Sequence, residues 1–155
     1  MAQDKKQIAK NRRALHDYEI VETFEAGIVL TGTEVRSLRE NNCQLTDCYA
    51  LVRHGEVWLH GLHIAPYSNG SYFNVDPDRK RKLLLHRRQI RYLDSKAKEK
   101  GLALVPLNIY FSPNGLVKVE LAVARGKKLH DKRASMAERD TKREIERALK
   151  SRNRY

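Results

Sequence analysis

The chain is short of acid, of cysteine and of long apolar runs. Its 155 residues carry 31 Lys and Arg against 19 Asp and Glu, for a formal charge of +12. Two cysteines, Cys43 and Cys48, are too few for a disulfide framework and fit a reducing, cytoplasmic setting. No stretch approaches the about 18 apolar residues of a membrane span. The basic N-terminus has no apolar segment behind its charges, so it does not read as a secretory signal. A Gly-rich phosphate loop, a Gly-x-Ser-x-Gly elbow and convincing paired carboxylates are all missing, so nothing points to an enzyme. Cys43-x4-Cys48 and His60-x2-His63 match no common zinc pattern. No metal or other cofactor is expected.

What charge there is lies at the ends. Residues 1–16 hold five Lys/Arg against one acid, and residues 125–155 hold twelve against five. The 108 residues between hold fourteen against thirteen. This predicts a basic N-terminal arm (1–16), a near-neutral folded body (17–124) and a basic C-terminal tail (125–155). Basic arms that repel themselves gain by lying beside a polyanion, which points to nucleic acid. A membrane surface is the alternative anion. The tail offers only Met136, Ile145 and Leu149 as large apolar groups, too few for an interfacial helix.

The body reads mainly as strand. Candidates are Tyr18 to Glu25 with a continuation from Gly27 to Leu30, Tyr49 to Arg53, Glu56 to His60 and Lys80 to Leu85. A hairpin whose Leu107, Ile109 and Phe111 alternate on one side completes the set, with Val117, Val119, Leu121 and Val123 returning. His54-Gly55 and Ser112-Pro113-Asn114-Gly115 are turns. Pro106 suits the start or an edge of its strand. Thr31 and Glu34 have capping-box spacing before a short helix over residues 33–39. Ile90, Leu93 and Ala97 mark a second helix over residues 86–100. About six strands with short connections and no βαβ rhythm predict an OB-fold-like antiparallel six-stranded barrel with flanking helices. The tail predicts a helix over residues 134–150 that is polar nearly all round. It should be disordered when free and ordered only on RNA. Arg139, Arg143, Arg147 and Lys150 would form its basic stripe.

Three features point to RNA. Arg79, Lys80, Arg81, Lys82, Arg87, Arg88 and Arg91 place seven cations within thirteen residues with no acid among them. Tyr67, Tyr72 and Phe73 precede them on a loop and could stack on bases or pack in the core. Gly126-Lys127-Lys128-Leu129-His130-Asp131-Lys132-Arg133 joins the body to the tail. Gly126 would allow a sharp exit, and the lysines would meet phosphates.

These segments also form an ordered set of motifs. Asn11-Arg12-Arg13-Ala14, His16-Asp17-Tyr18, Phe24-Glu25-Ala26-Gly27, Leu30-x-Gly32-x-Glu34-Val35 and Ser37-Leu38-Arg39 come first. Asp76-Pro77, Arg81-Lys82-Leu83-Leu84-Leu85 and Gly126-Lys127-Lys128-x-His130-Asp131-Lys132-Arg133 follow. Together they closely resemble the bacterial SsrA-binding proteins, the small protein B family, from about Asn11 to the C-terminus. The resemblance implies an OB-fold monomer without catalysis of its own. It implies binding to the tRNA-like domain of transfer-messenger RNA and delivery to stalled ribosomes for trans-translation. Elongation factor Tu would share that RNA.

Residue by residue, the resemblance implies that Glu25, Leu84, His86 and Lys118 lie on the RNA-binding surface. The cluster Arg79, Lys80, Arg81 and Lys82 is expected to extend it. Gly126, Lys127, Lys128, His130, Asp131, Lys132 and Arg133 would meet the small-subunit decoding centre and its 16S ribosomal RNA. The helix carrying Arg139, Arg143, Arg147 and Lys150 would enter the empty mRNA channel. The rival reading is another OB-type ribosomal or ribosome-assembly protein, bound permanently to ribosomal RNA.

Overall fold

A computed structural model describes residues 6–67 and 74–127, together with Arg143 and Arg147. In chain order the elements are β1 (Lys6–Lys10), α1 (Arg12–Asp17), β2 (Tyr18–Ile28), α2 (Gly32–Arg39), β3 (Cys43–Gln44) and β4 (Tyr49–Arg53). They continue with β5 (Glu56–His60), β6 (His63–Ile64), β7 (Arg81–Leu84), α3 (Arg87–Ala97), β8 (Leu102–Phe111) and β9 (Val117–Gly126).

Six of these strands close into an antiparallel ring. The order runs β8, β4, β5, β7, β2, β9, and β9 pairs back onto β8. These six strands are the ones read from the sequence, and the mainly β fold with flanking helices agrees with an OB-like arrangement. Two joints of the ring are short. β4 meets β8 through Ala50 opposite Leu104, and β2 meets β7 through Gly27 opposite Leu84 and Ile28 opposite Leu83. The inside is filled by Val57, Leu59, Leu83, Ile109, Val119, Leu121 and Val123 from the strands, and by Leu38 and Leu93 from α2 and α3.

Local chemistry explains the helices. The Thr31 hydroxyl accepts from the Glu34 amide at 3.3 Å, and the Thr31 amide donates to Glu34 Oε1 at 2.9 Å, the reciprocal cap its spacing predicts. In α3 only Leu93 is fully buried, and the partly buried Ile90 packs against the same core. The 54–55 turn also forms as expected, with His54 and Gly55 at φ 53° and 74°. That is the left-handed pair a two-residue hairpin needs.

The structure departs from the sequence expectation in three places. The basic arm folds from Lys6 onward. β1 pairs along the far half of β8, and α1 packs on the outside of the ring. With only Ile8 and Ala9 apolar in β1, alternation has little to show. Second, Pro106 lies inside β8, at a register shift between Pro106 and Asn108. There the Asn11 side chain donates to the Pro106 carbonyl at 3.0 Å, and the Asn11 amide donates to the Leu107 carbonyl at 2.7 Å. Third, the shift changes which side Leu107 faces. Leu107 joins Ala14, Val105, Ala122 and Ala124 under α1, while Ile109 and Phe111 enter the ring. An extra residue in one strand inverts the facing of all that precede it.

Candidate nucleic-acid interface

The register of β7, β2 and β9 brings the family-implied residues together. Gly27 is opposite Leu84 on one side and Lys118 on the other, so the three form a row across the sheet. Their neighbours Leu83, Ala26 and Val119 are fully or almost fully buried, so the row faces outward. Glu25, two residues before Gly27, shares that outward face. Leu84 is 51% exposed and the nearby Leu116 is 57% exposed, which leaves apolar surface open to a partner. A Cβ at Gly27 would stand 3.3 Å from the Leu84 Cβ. Glycine keeps this row flat.

Polar groups flank the flat area. Tyr110, opposite Lys118 on β8, donates its hydroxyl to Glu25 Oε2. Asn108, opposite Glu120, donates to Glu120 Oε2. Both pairs line a cavity of about 380 Å³ with Gln7, Thr23 and Phe24. Burial raises the Tyr110 pKa, and the Glu25 bond raises it further, so the phenol stays a donor at neutral pH. Glu25 is thereby aimed by a rigid ring. Tyr110 and Gly27 escape a sequence reading that weighs charge. The signal for Tyr110 is an aromatic at an outward position of an alternating strand.

The basic cluster divides. Arg81 is fully buried, with its Nε 2.6 Å from Glu34 Oε2. Its other nitrogens donate to the Leu62, Arg79 and Pro77 carbonyls at 2.6, 3.0 and 3.0 Å. This corrects the expectation that Arg81 meets RNA: a guanidinium at 0% exposure cannot reach a phosphate. Arg79 is turned the same way, bonded to Glu34 and to the Val29 carbonyl. Burial pushes the Glu34 carboxyl up, but the bonds from Arg79, Thr31 and Arg81 outweigh it and hold the carboxyl below its usual range. Lys82 meets Glu56 at 3.2 Å, and Lys80 stands over the Trp58 ring. His86 is exposed just before α3, its amide donating to Gln89 Oε1 at 3.1 Å. Arg87, Arg88 and Arg91 are exposed on α3. The guanidinium of Arg36 lies 5.8 Å from the centroid of Tyr67. Tyr72 and Phe73 are outside the described residues.

The tail leaves beside α1. The Lys127 amide donates to the Asp17 carbonyl at 3.0 Å, and its ammonium reaches the Leu15 carbonyl at 3.4 Å. Gly126 ends β9 without a left-handed φ, and a Cβ there would meet nothing within 4 Å. The sharp exit expected of this glycine is therefore not what its backbone supplies. Of the tail stripe, Arg143 and Arg147 are described, and both are helical and exposed. Lys128, His130, Asp131, Lys132, Arg133, Arg139 and Lys150 are outside the described residues.

Comparison with known proteins decides the family. A family profile described as SmpB protein matches residues 8–151. The chain belongs to the SmpB family. An SsrA-binding protein of Moorella thermoacetica is 53% identical, the match covering 99% of each chain. One from Mycobacterium leprae is 60% identical over 92% of this chain and 88% of its own. A solved structure described as "tmRNA-SmpB: a journey to the center of the bacterial ribosome" holds a chain 58% identical to this one. It superposes with a TM-score of 0.67, covering 78% of this chain and 85% of its own.

The SmpB match spans both halves of the site, the outward row on the ring and the segment that leaves β9 beside α1. Burial pushes the Cys43 and Cys48 thiols up to about 11 and about 12, so they are protonated at neutral pH. No group of His, Cys, Asp and Glu among the described residues is arranged to hold a metal. No helix among them is long and apolar enough to cross a membrane.

Proposed function

We infer that this chain binds transfer-messenger RNA through the outer face of β7, β2 and β9 and acts with it on ribosomes in trans-translation. The observation that carries this reading is the Leu84–Gly27–Lys118 row, with Glu25 held beside it by Tyr110. A flat, partly apolar strip suits a base or ribose lying against it. Lys118 supplies a phosphate contact, and the Glu25 carboxylate accepts from a base amino group. RNA with splayed bases presents all three partners at once, whereas a regular duplex hides its base faces. The contribution is recognition and positioning, with no bond made or broken by this chain.

The basic tail does the second job. Ordering it costs roughly 1–2 kcal/mol per residue, so it orders only where many contacts form together. A vacant mRNA channel lined by ribosomal RNA offers them to Arg139, Arg143, Arg147 and Lys150. A message already in the channel excludes the tail by volume and charge. Gly126 to Arg133 would lie at the decoding centre. A cytoplasmic setting and elongation factor Tu on the same RNA complete the reading.

Sequencing the RNA that co-purifies with the full chain tests it. Transfer-messenger RNA should dominate, and Lys118→Ala should reduce its recovery in a salt-dependent way. Recovery of ribosomal RNA alone would replace this reading with that of a permanent ribosomal component.

A further inference from the structure

A second outward face lies next to the first, on β4, β5 and β7. Val57 and Leu59 are fully buried, so Trp58 between them points out of the ring. In the register Trp58 has Leu51 on one side and Lys82 on the other. The Lys80 ammonium stands 5.4 Å from the Trp58 ring centroid. Two pairs along, on the same side of the sheet, Tyr49 and His60 stack with centroids 5.3 Å apart and an interplanar angle of 6°. Arg53, His54, Glu56, Trp58, His60 and Lys80 enclose an open cavity of about 530 Å³. The one acid there, Glu56, is met by Lys82 at 3.2 Å. The surface is therefore aromatic rings under net positive charge.

We propose that this face is a second RNA site, which takes unpaired nucleotides with Trp58 as the stacking platform and Lys80 as the phosphate partner. Three observations choose the occupant. Trp58 is a half-buried ring on the solvent side of β5, outside the core cluster, and a base fits its open face. The flanking Lys80 and Arg53 complement the phosphates that accompany such a base. The face is also continuous with the Leu84–Gly27–Lys118 row. Lys82, opposite Trp58, is two residues from Leu84 on the same side of β7, about 7 Å along the strand. One strand of RNA leaving the first face reaches the second. The contact of Lys80 with Trp58 is an exposed cation–π pair, weak enough to open as the base arrives and the ammonium turns to a phosphate. The proposal rests on the RNA-binding reading of the family, but not on the roles of Glu25, Leu84 or Lys118.

Trp58 is the only tryptophan of the chain, so intrinsic fluorescence reports this face alone. The full chain is titrated with transfer-messenger RNA, with a short single-stranded RNA and with heparin, a polyanion without bases. Binding is followed in parallel by anisotropy of labelled RNA. Both RNAs should quench Trp58, with the same midpoint as binding, and heparin should not. Trp58→Ala should weaken the single-stranded RNA on the order of tenfold, while Trp58→Phe keeps a ring and most of the affinity. Lys80→Ala should lower the salt slope by about 0.7. Thermal melts confirm that each variant folds. Emission unchanged at saturating RNA overturns the proposal, and so does equal quenching by heparin. If transfer-messenger RNA binds while Trp58 stays silent, the second face falls and the proposed function stands. If neither RNA binds, both fall.

Discussion

Arg81→Met separates stability from binding within a segment that looks uniformly basic. Arg81 is fully buried, and it ties Glu34 of α2 to the carbonyls of Leu62, Pro77 and Arg79. Methionine fills similar volume but leaves three carbonyls without their donor and Glu34 without one of its two guanidiniums. Removing one partner of a buried ion pair costs about 3–5 kcal/mol. For a chain of this length each kcal/mol lowers Tm by about 2–4 °C, so the expected drop is about 6–20 °C. Urea midpoints should fall in step at constant m. RNA affinity, measured well below the new Tm, should stay within about twofold because no RNA-facing group is touched. Lys80→Ala should behave in the opposite way, with Tm nearly unchanged and affinity reduced. A stable Arg81→Met protein that has lost RNA affinity would refute the assignment of Arg81 to the interior.

Further expectations follow from the same geometry. Glu34 titrates below its usual value of 4.5 in the fold, so its stabilising effect is complete above that value and disappears as pH falls through the lower, folded value. Acid unfolding of Glu34→Gln, followed by circular dichroism, should therefore show a shallower pH dependence than the parent below about pH 4.5. A parallel pair of curves would count against the ion-pair assignment. Gly27→Val should raise a side chain between Leu84 and Lys118, whose flat row depends on the missing Cβ. Filter binding should show weaker transfer-messenger RNA capture with a near-parental melting curve; undiminished capture would move the RNA off this row. Truncation after Lys128 should leave RNA affinity nearly intact and abolish peptide tagging in a stalled-ribosome assay. A large affinity loss would join the two jobs that the charge distribution separates.

The alternation of Val117, Val119, Leu121 and Val123 carries over directly into the ring, because each of these side chains fills its interior. Thr31 and Glu34 likewise announce α2, since a cap is a contact between residues three apart. Leu107 could not be placed this way. Its facing depends on a bulge at Pro106, and Asn11, nearly a hundred residues earlier, bonds to both flanking carbonyls. β1 hid for a related reason: its pairing is with β8, and its own residues carry almost no apolar period.

The candidate site divides along the same line. Local spacing and charge, with the family motifs, determined that this is a small β protein with a basic tail and pointed it to RNA. Those are properties of residue type and near neighbours. Only the tertiary structure decided which cations are open to a partner. Lys118 lies on an outward strand position and Lys80 is exposed just before β7, whereas Arg81, between Lys80 and Lys82, is consumed by Glu34 in the interior. A strand sends adjacent side chains to opposite faces, and which face is wet depends on what α2 and the 62–79 segment place behind it. A run of positive charge along the chain cannot carry that information. The row of Leu84, Gly27 and Lys118 is the same kind of fact, since residues 27, 84 and 118 become neighbours only when β7, β2 and β9 pair in this register.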